Sequence, residues 1–182
     1  MSEFRLHPRL QADCHPLGDW RLSRVLLLDE RRYPWVILVP RRADIREIHE
    51  LTAPDRAALL EESCRLGEFL MRVFDGEKLN LGALGNLVPQ LHLHHVVRHD
   101  GDPAWPGPVW GHSPAQPYGA EELVGQLNML EIEPTRFIVP SGSASTHSGF
   151  LLGARASGCL APVHGVCVRR DAVSQKQRVA TK

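Results

Sequence analysis

Residues 90–97 read Gln-Leu-His-Leu-His-His-Val-Val, with Gln90, His92 and His94 at every second position and leucines between them. Side chains alternate faces along a β-strand. The run therefore reads as a strand with an amide and two imidazoles on one face and aliphatic groups on the other. Imidazole is a general acid or base, a nucleophile and a metal ligand near neutral pH. Two imidazoles on an otherwise apolar strand would be costly to bury unpaired, so the pattern points to chemistry as well as scaffold.

The rest of the chain supplies a frame for this strand. Arg24–Leu28 and Trp35–Val39 are β-type runs joined by the polar link Asp29–Pro34, which predicts an antiparallel hairpin buried on both faces. Thr52 and Pro54 mark a helix start. Leu59, Leu66, Leu70 and Phe74 then recur at helical spacing, which predicts a long helix over 57–74. Leu79–Leu84 reads as a third strand, Gly85-Asn86 as a turn and Gln90–Val97 as the fourth strand. A Pro- and Gly-rich irregular stretch over 99–118 precedes a short helix at 121–130 and a further strand at 136–139. The expected fold is α+β: an antiparallel sheet of about five strands with one long and one short helix. Residues 1–140 are expected to form this domain. Small residues dominate from Ser141 onward without helical or strand period, so 141–182 is expected to be a weakly ordered tail.

Charge narrows the partners. Lys+Arg and Asp+Glu are both 21 in 182 residues, so no overall basic field exists to hold a nucleic acid polymer. Of the 21 basic residues, six lie in 141–182 (Arg155, Arg169, Arg170, Lys176, Arg178, Lys182) against the single acid Asp171. The tail is therefore basic, while residues 1–140 are net acidic. The N-terminal residues lack a secretory apolar core, and no run is long enough to cross a bilayer. The four cysteines, Cys14, Cys64, Cys159 and Cys167, form no Cys-x-x-Cys pair. A cytoplasmic protein with reduced thiols and no membrane association is the expectation.

Same-face positions on a strand are about 6.6–6.8 Å apart, so Gln90, His92 and His94 could converge on one tetrahedral group such as a phosphate. The middle imidazole, His92, is best placed for in-line attack on phosphorus, provided its other nitrogen donates to a fixed acceptor. Gln90 and His94 would flank the centre and donate to non-bridging oxygens. Asn86 adds a neutral donor just before the strand.

This arrangement resembles the histidine triad (HIT) family of nucleotide hydrolases and transferases, whose signature is His-φ-His-φ-His-φ-φ with φ apolar. The run Gln90-Leu91-His92-Leu93-His94-His95-Val96, the upstream Leu79-Asn80-Leu81-Gly82 and Gly85-Asn86, and the Asp29 to Pro40 hairpin carry the resemblance. It covers roughly residues 4–112 and includes the bundle Trp105-Pro106-Gly107-Pro108-Val109-Trp110, which is similar to a bacterial branch of the family. The resemblance implies that His92 is the nucleophile, forming a nucleotidyl-histidine at the α-phosphate that water then hydrolyses, and that His94 is a phosphate ligand. It further implies Asn86 and Asn80 as phosphate-binding groups, Asp29 as the ribose-hydroxyl binder, a purine nucleotide or nucleotide conjugate as substrate, no cofactor or metal, and a homodimer. Two positions depart from the signature. Gln90 stands where the first histidine would be and cannot titrate, and His95 occupies an apolar position and should face the core.

Two other readings remain open from the residues. His-x-His on a strand is a common metal-ligand pair, which His95, His99 or His112 could complete. Alternatively, the fold could bind nucleotide without turnover, a reading that Gln90 favours.

Overall fold

Hydrogen-bonded pairing around the apolar run at 35–40 organises the first part of the chain. The computed structural model describes residues 3–132, 136–141 and 145–167, and the chain divides into two units, Met1–Pro117 and Tyr118–Lys182. In the first unit a short helix α1 (Pro8–Asp13) leads into strands β1 (Cys14–Asp19), β2 (Ser23–Leu28) and β3 (Trp35–Pro40). Helix α2 (Ala53–Val73) and strands β4 (Lys78–Gly82) and β5 (Leu93–Arg98) follow. The five strands form one antiparallel sheet in the order β1-β2-β3-β5-β4.

The β2–β3 hairpin forms where the sequence predicts it, with Leu27 opposite Val36 and Ser23 opposite Pro40. Every residue of β3 is buried, as its unbroken hydrophobicity requires when both sheet faces are covered. One face carries α2. Thr52 caps this helix by accepting from Asp55 N–H at 3.2 Å, Pro54 sits in its first turn, and Leu59, Leu66 and Leu70 are buried. Glu62 is buried on the same stripe, where its carboxylate accepts from the backbone N–H groups of Leu22 (2.7 Å) and Ser23 (3.1 Å). The opposite face is covered by the N-terminal segment and the stretch after β5. Leu6, Leu10, Tyr33, Trp35, Ile37, Val39, Val88, Val96, Ala104 and Val109 form one cluster there.

Gly76, just after the left-handed Asp75 that ends α2, packs so closely that a Cβ would overlap Val97 Cγ1 and lie 2.9 Å from Met71 Sδ. Valine is stiff at χ1, so the site cannot open cheaply. Gly76→Ala is expected to lower stability by about 1–3 kcal/mol, read by urea denaturation; an unchanged midpoint would refute the tight packing.

Three expectations change. First, β5 begins at Leu93 rather than at Gln90. Leu91 N–H donates to Ile45 O at 2.9 Å and Gln90 N–H to Val88 O at 2.8 Å, so residues 90–92 turn in before the ladder begins. Second, the fifth strand of the sheet is β1, not 136–139. Its Cys-His-Pro-Leu-Gly-Asp sequence reads poorly as a strand, and its register shifts between Pro16 and Gly18. Such residues are tolerated on an edge, which β1 is. Third, residues 118–167 make their own unit, so the domain boundary falls at 117 rather than 140. Helix α3 (Ala120–Met129) is followed by strand β6 (Phe137–Ser141), helix α4 (Ser145–Ala156) and strand β7 (Val163–Cys167). Strands β6 and β7 pair in parallel in a separate sheet, and parallel neighbours need a crossover such as α4 between them. The expected weakly ordered tail thus contains a helix and a strand over 145–167. At Gly153 a Cβ would sit 2.8 Å from that of Ala120, so α3 and α4 approach each other closely through small residues. The basic residues Arg169, Arg170, Lys176, Arg178 and Lys182 lie outside the described residues. No helix among the described residues is long and apolar enough to cross a membrane.

Candidate functional site

His92 immediately precedes β5. Its Nδ1 lies 2.6 Å from the backbone carbonyl oxygen of Gln90. A carbonyl only accepts, so Nδ1 carries the proton and donates, which leaves the lone pair of the neutral ring on Nε2. His94 lies on β5 opposite Ile37 of β3 and Gly82 of β4. Trp35 Nε1–H donates to its Nδ1 at 2.9 Å. The His92 and His94 ring centroids are 4.8 Å apart at 71°, and both side chains are buried. Trp110 stands edge-on, 6.0 Å from His94 and 5.9 Å from Trp35. Gly82 makes room for it, since a Cβ there would come within 3.0 Å of the Trp110 ring. Burial, reinforced by the neighbouring His92 and His95, pulls the His94 pKa down to about 3, so the ring is neutral at physiological pH.

His95 points to the α2 face, as alternation predicts. Its Nδ1–H donates to Leu93 O at 3.2 Å, and its Nε2 accepts from Ser63 Oγ–H at 2.8 Å. Burial lowers its pKa to about 4. A metal site combining His95 with His92 and His94 is therefore ruled out by geometry: the sheet separates them.

The structure gives Gln90 a different place from the one expected. Its Oε1 accepts from His7 N–H at 2.9 Å and its Nε2 donates to Arg5 O at 2.9 Å. The amide is engaged with the backbone of the N-terminal segment rather than lined up beside the imidazoles. Period-two reasoning fails here because residue 90 precedes the ladder. Asn80, on β4 opposite Val96, accepts through Oδ1 from Arg98 Nη1 at 2.7 Å. Asn86 is exposed in the turn between β4 and β5. Asp29 directly follows β2, its N–H donates to Asp13 O at 3.0 Å, and its Oδ1 is 3.2 Å from His15 Nε2. Of the expected site residues, then, His92 and His94 are brought into ring contact, Gln90 joins them through its main-chain carbonyl, Asn80 is held by Arg98, Asn86 is exposed and Asp29 lies beside His15.

Sequence reading missed the residues that hold this arrangement in place. Arg98, at the end of β5, forms a bidentate pair with Asp102 (Nε to Oδ2 2.6 Å, Nη2 to Oδ1 2.9 Å) and donates from Nη1 to Asn80 Oδ1 and to Gly107 O. Its guanidinium also lies over the rings of Tyr33 and Trp105. At the other end of the 99–117 stretch, buried Glu30 accepts from Arg32 and from Gln116 N–H, while Arg32 donates to Ser113 Oγ and Pro114 O. The stretch carrying Trp110 is thus tied down on both sides. The four-residue spacing of Arg98 and Asp102 directly after the histidines was the available sequence clue. Asp102→Asn removes the countercharge of a guanidinium that cannot deprotonate and is expected to cost about 2–3 kcal/mol. Trp20, Trp35, Trp105 and Trp110 all lie in the first unit, so tryptophan fluorescence during urea unfolding measures it. A cost near zero would show that Asp102 is dispensable.

The known proteins that this chain is similar to share one family description. The family model described as HIT domain matches residues 9–101. The structure is similar to a crystal structure of a histidine triad protein from Marinobacter aquaeolei VT8, at 54% identity and a TM-score of 0.68, over 71% of this chain and 98% of that one. It is also similar to a histidine triad protein from Bradyrhizobium japonicum, at 42% identity and a TM-score of 0.69, over 71% and 97% of the two chains. A histidine triad (HIT) protein from Sinorhizobium meliloti 1021 matches at 45% identity and a TM-score of 0.67, over 71% and 96%. No curated protein matches the chain.

Proposed function

This chain belongs to the HIT domain family, and from that premise we propose that it is a nucleotide phosphohydrolase or nucleotidyl transferase acting at the α-phosphate of a nucleotide conjugate. Members of the family are in general nucleotide hydrolases or transferases. The observation that carries the reading is the 2.6 Å contact of His92 Nδ1 with the Gln90 carbonyl, beside the ring of His94. It leaves a nucleophilic lone pair on His92 Nε2. In the first step that lone pair forms a P–N bond while the bond from phosphorus to the leaving group breaks, the leaving group departing with the electron pair. In the second step water attacks phosphorus, the P–N bond returns its pair to Nε2, and nucleoside monophosphate is released. His94 holds a non-bridging oxygen by hydrogen bonding.

Gln90 takes the place of the family's first histidine and sets the His92 ring through its carbonyl. An amide there relays no proton, so leaving groups that depart as stable anions are favoured. Asn80 and Asn86 are assigned to phosphate and Asp29 to the ribose hydroxyls, where a carboxylate can accept from both. A purine nucleotide is the ligand, no metal or cofactor takes part, and the active species is a cytoplasmic homodimer. The engagement of the Gln90 amide with residues 5 and 7 favours one second reading, a nucleotide-binding module without turnover.

Incubation of the metal-chelated protein with a dinucleoside polyphosphate or a nucleoside phosphoramidate, followed by chromatography, separates the two. Release of monophosphate, with a nucleotidyl adduct on His92 by mass spectrometry, is the expected result. Tight purine monophosphate binding with no release from any such substrate would leave only the binding module.

A further inference from the structure

Resting on the nucleotidyl-transfer reading, we propose that Trp35 is a positioning residue whose indole N–H holds His94 in the one tautomer that offers an N–H to the substrate phosphate. An indole nitrogen donates and cannot accept. With Trp35 Nε1 at 2.9 Å, His94 Nδ1 must therefore be the lone-pair nitrogen, and the ring proton sits on Nε2. His92 is set the opposite way: its Nδ1–H is given to Gln90 O and its Nε2 is bare. Two like side chains 4.8 Å apart thus present unlike atoms, one lone pair to attack phosphorus and one N–H to hold its oxygen.

Nothing in the strand itself makes this distinction. Ile37 and Gly82, the cross-strand neighbours of His94, have no side-chain donor. In the other tautomer His94 Nε2 would turn a lone pair toward an anionic phosphate. Its burial, which keeps the ring neutral, prevents a second proton from rescuing the contact. The indole is itself fixed, edge-on to Tyr33 at 6.3 Å and to Trp110 at 5.9 Å, and buried in the cluster on this face. Its N–H direction is therefore set by packing rather than by the histidine it serves.

The test uses the full chain labelled with ¹⁵N-histidine. Two-bond ¹H–¹⁵N correlation spectra at neutral pH are expected to show His94 as the Nε2–H form and His92 as the Nδ1–H form. Trp35→Phe keeps an aromatic ring and removes the donor. His94 in that variant is expected to show a mixture of tautomers, with kcat for monophosphate release lower by about 10-fold or more and KM changed by less than about threefold. A wild-type His94 carrying its proton on Nδ1 overturns the proposal, and this spectrum decides even if the variant fails to fold. So does a folded Trp35→Phe protein with an unchanged His94 spectrum or an unchanged kcat. The transfer reading fails separately: the expected wild-type tautomers with no turnover of any substrate would retain the Trp35 lock as a property of the site and reject nucleotidyl transfer.

Discussion

Replacing His92 by alanine is expected to abolish release of nucleoside monophosphate, with a fall in kcat of about 10⁴-fold or more. The magnitude follows from covalent catalysis. Without Nε2 no P–N bond forms, and neutral donors such as the His94 N–H stabilise charge but cannot supply the attacking pair. Among the three motif positions, only residue 92 has its second ring nitrogen engaged by a main-chain carbonyl in the way a nucleophile needs. His94 is occupied by Trp35, and residue 90 is an amide bound to the N-terminal segment. His92→Asn removes the nucleophile with less loss of volume and polarity, so purine monophosphate binding, followed by calorimetric titration, is expected to stay within about threefold of wild type. Residual turnover within tenfold of wild type in His92→Ala would mean that another group attacks phosphorus.

Acid is expected to destabilise the first unit well before its carboxylates are protonated. His94 and His95 are held neutral in the folded state, with pKa values near 3 and 4, whereas an unfolded imidazole titrates near its ordinary value of 6.5. Between these limits the unfolded chain binds more protons than the native one. Stability is therefore complete above about pH 6.5 and falls as pH drops toward 4, at about 1.4 kcal/mol per pH unit for each ring. From pH 7 to pH 5 the two rings together cost about 4 kcal/mol by this linkage. Glu30 and Asp102, whose carboxyls are kept below the ordinary range by Arg32 and Arg98 against the opposing effect of burial, add losses in the same direction at lower pH. Urea denaturation followed by tryptophan fluorescence at pH 7, 6 and 5 measures the effect. A midpoint that does not move across that range would show that the two imidazoles are not held neutral by the fold.

These two expectations draw on different kinds of information in the chain. The core-facing place of His95 was readable from the alternation, because a residue one step out of phase with His94 points to the opposite face of the strand. The hairpin, the long helix with its Thr52 cap and the antiparallel sheet were readable for the same reason: each rests on a local period or a cap whose physics acts within a few residues. The β1 edge strand was not, because its Pro and Gly are tolerated only where no second neighbour demands its N–H groups. Nor was the parallel β6–β7 pair, whose strands are brought together by an intervening helix built on small residues.

The candidate site divides along the same line. The alternation set two imidazoles two residues apart after a glycine turn, but His92 precedes β5, so strand geometry alone did not fix their ring contact. What each polar atom near them does is set by the packed fold. The Gln90 amide meets the backbone of residues 5 and 7, Asn80 meets Arg98, and Trp35 arrives 59 residues away in sequence from the histidine it orients. A hydrogen bond selects its partner by position in space within about 3 Å. Across dozens of residues, that position is set by the packed fold and by no local pattern of side chains.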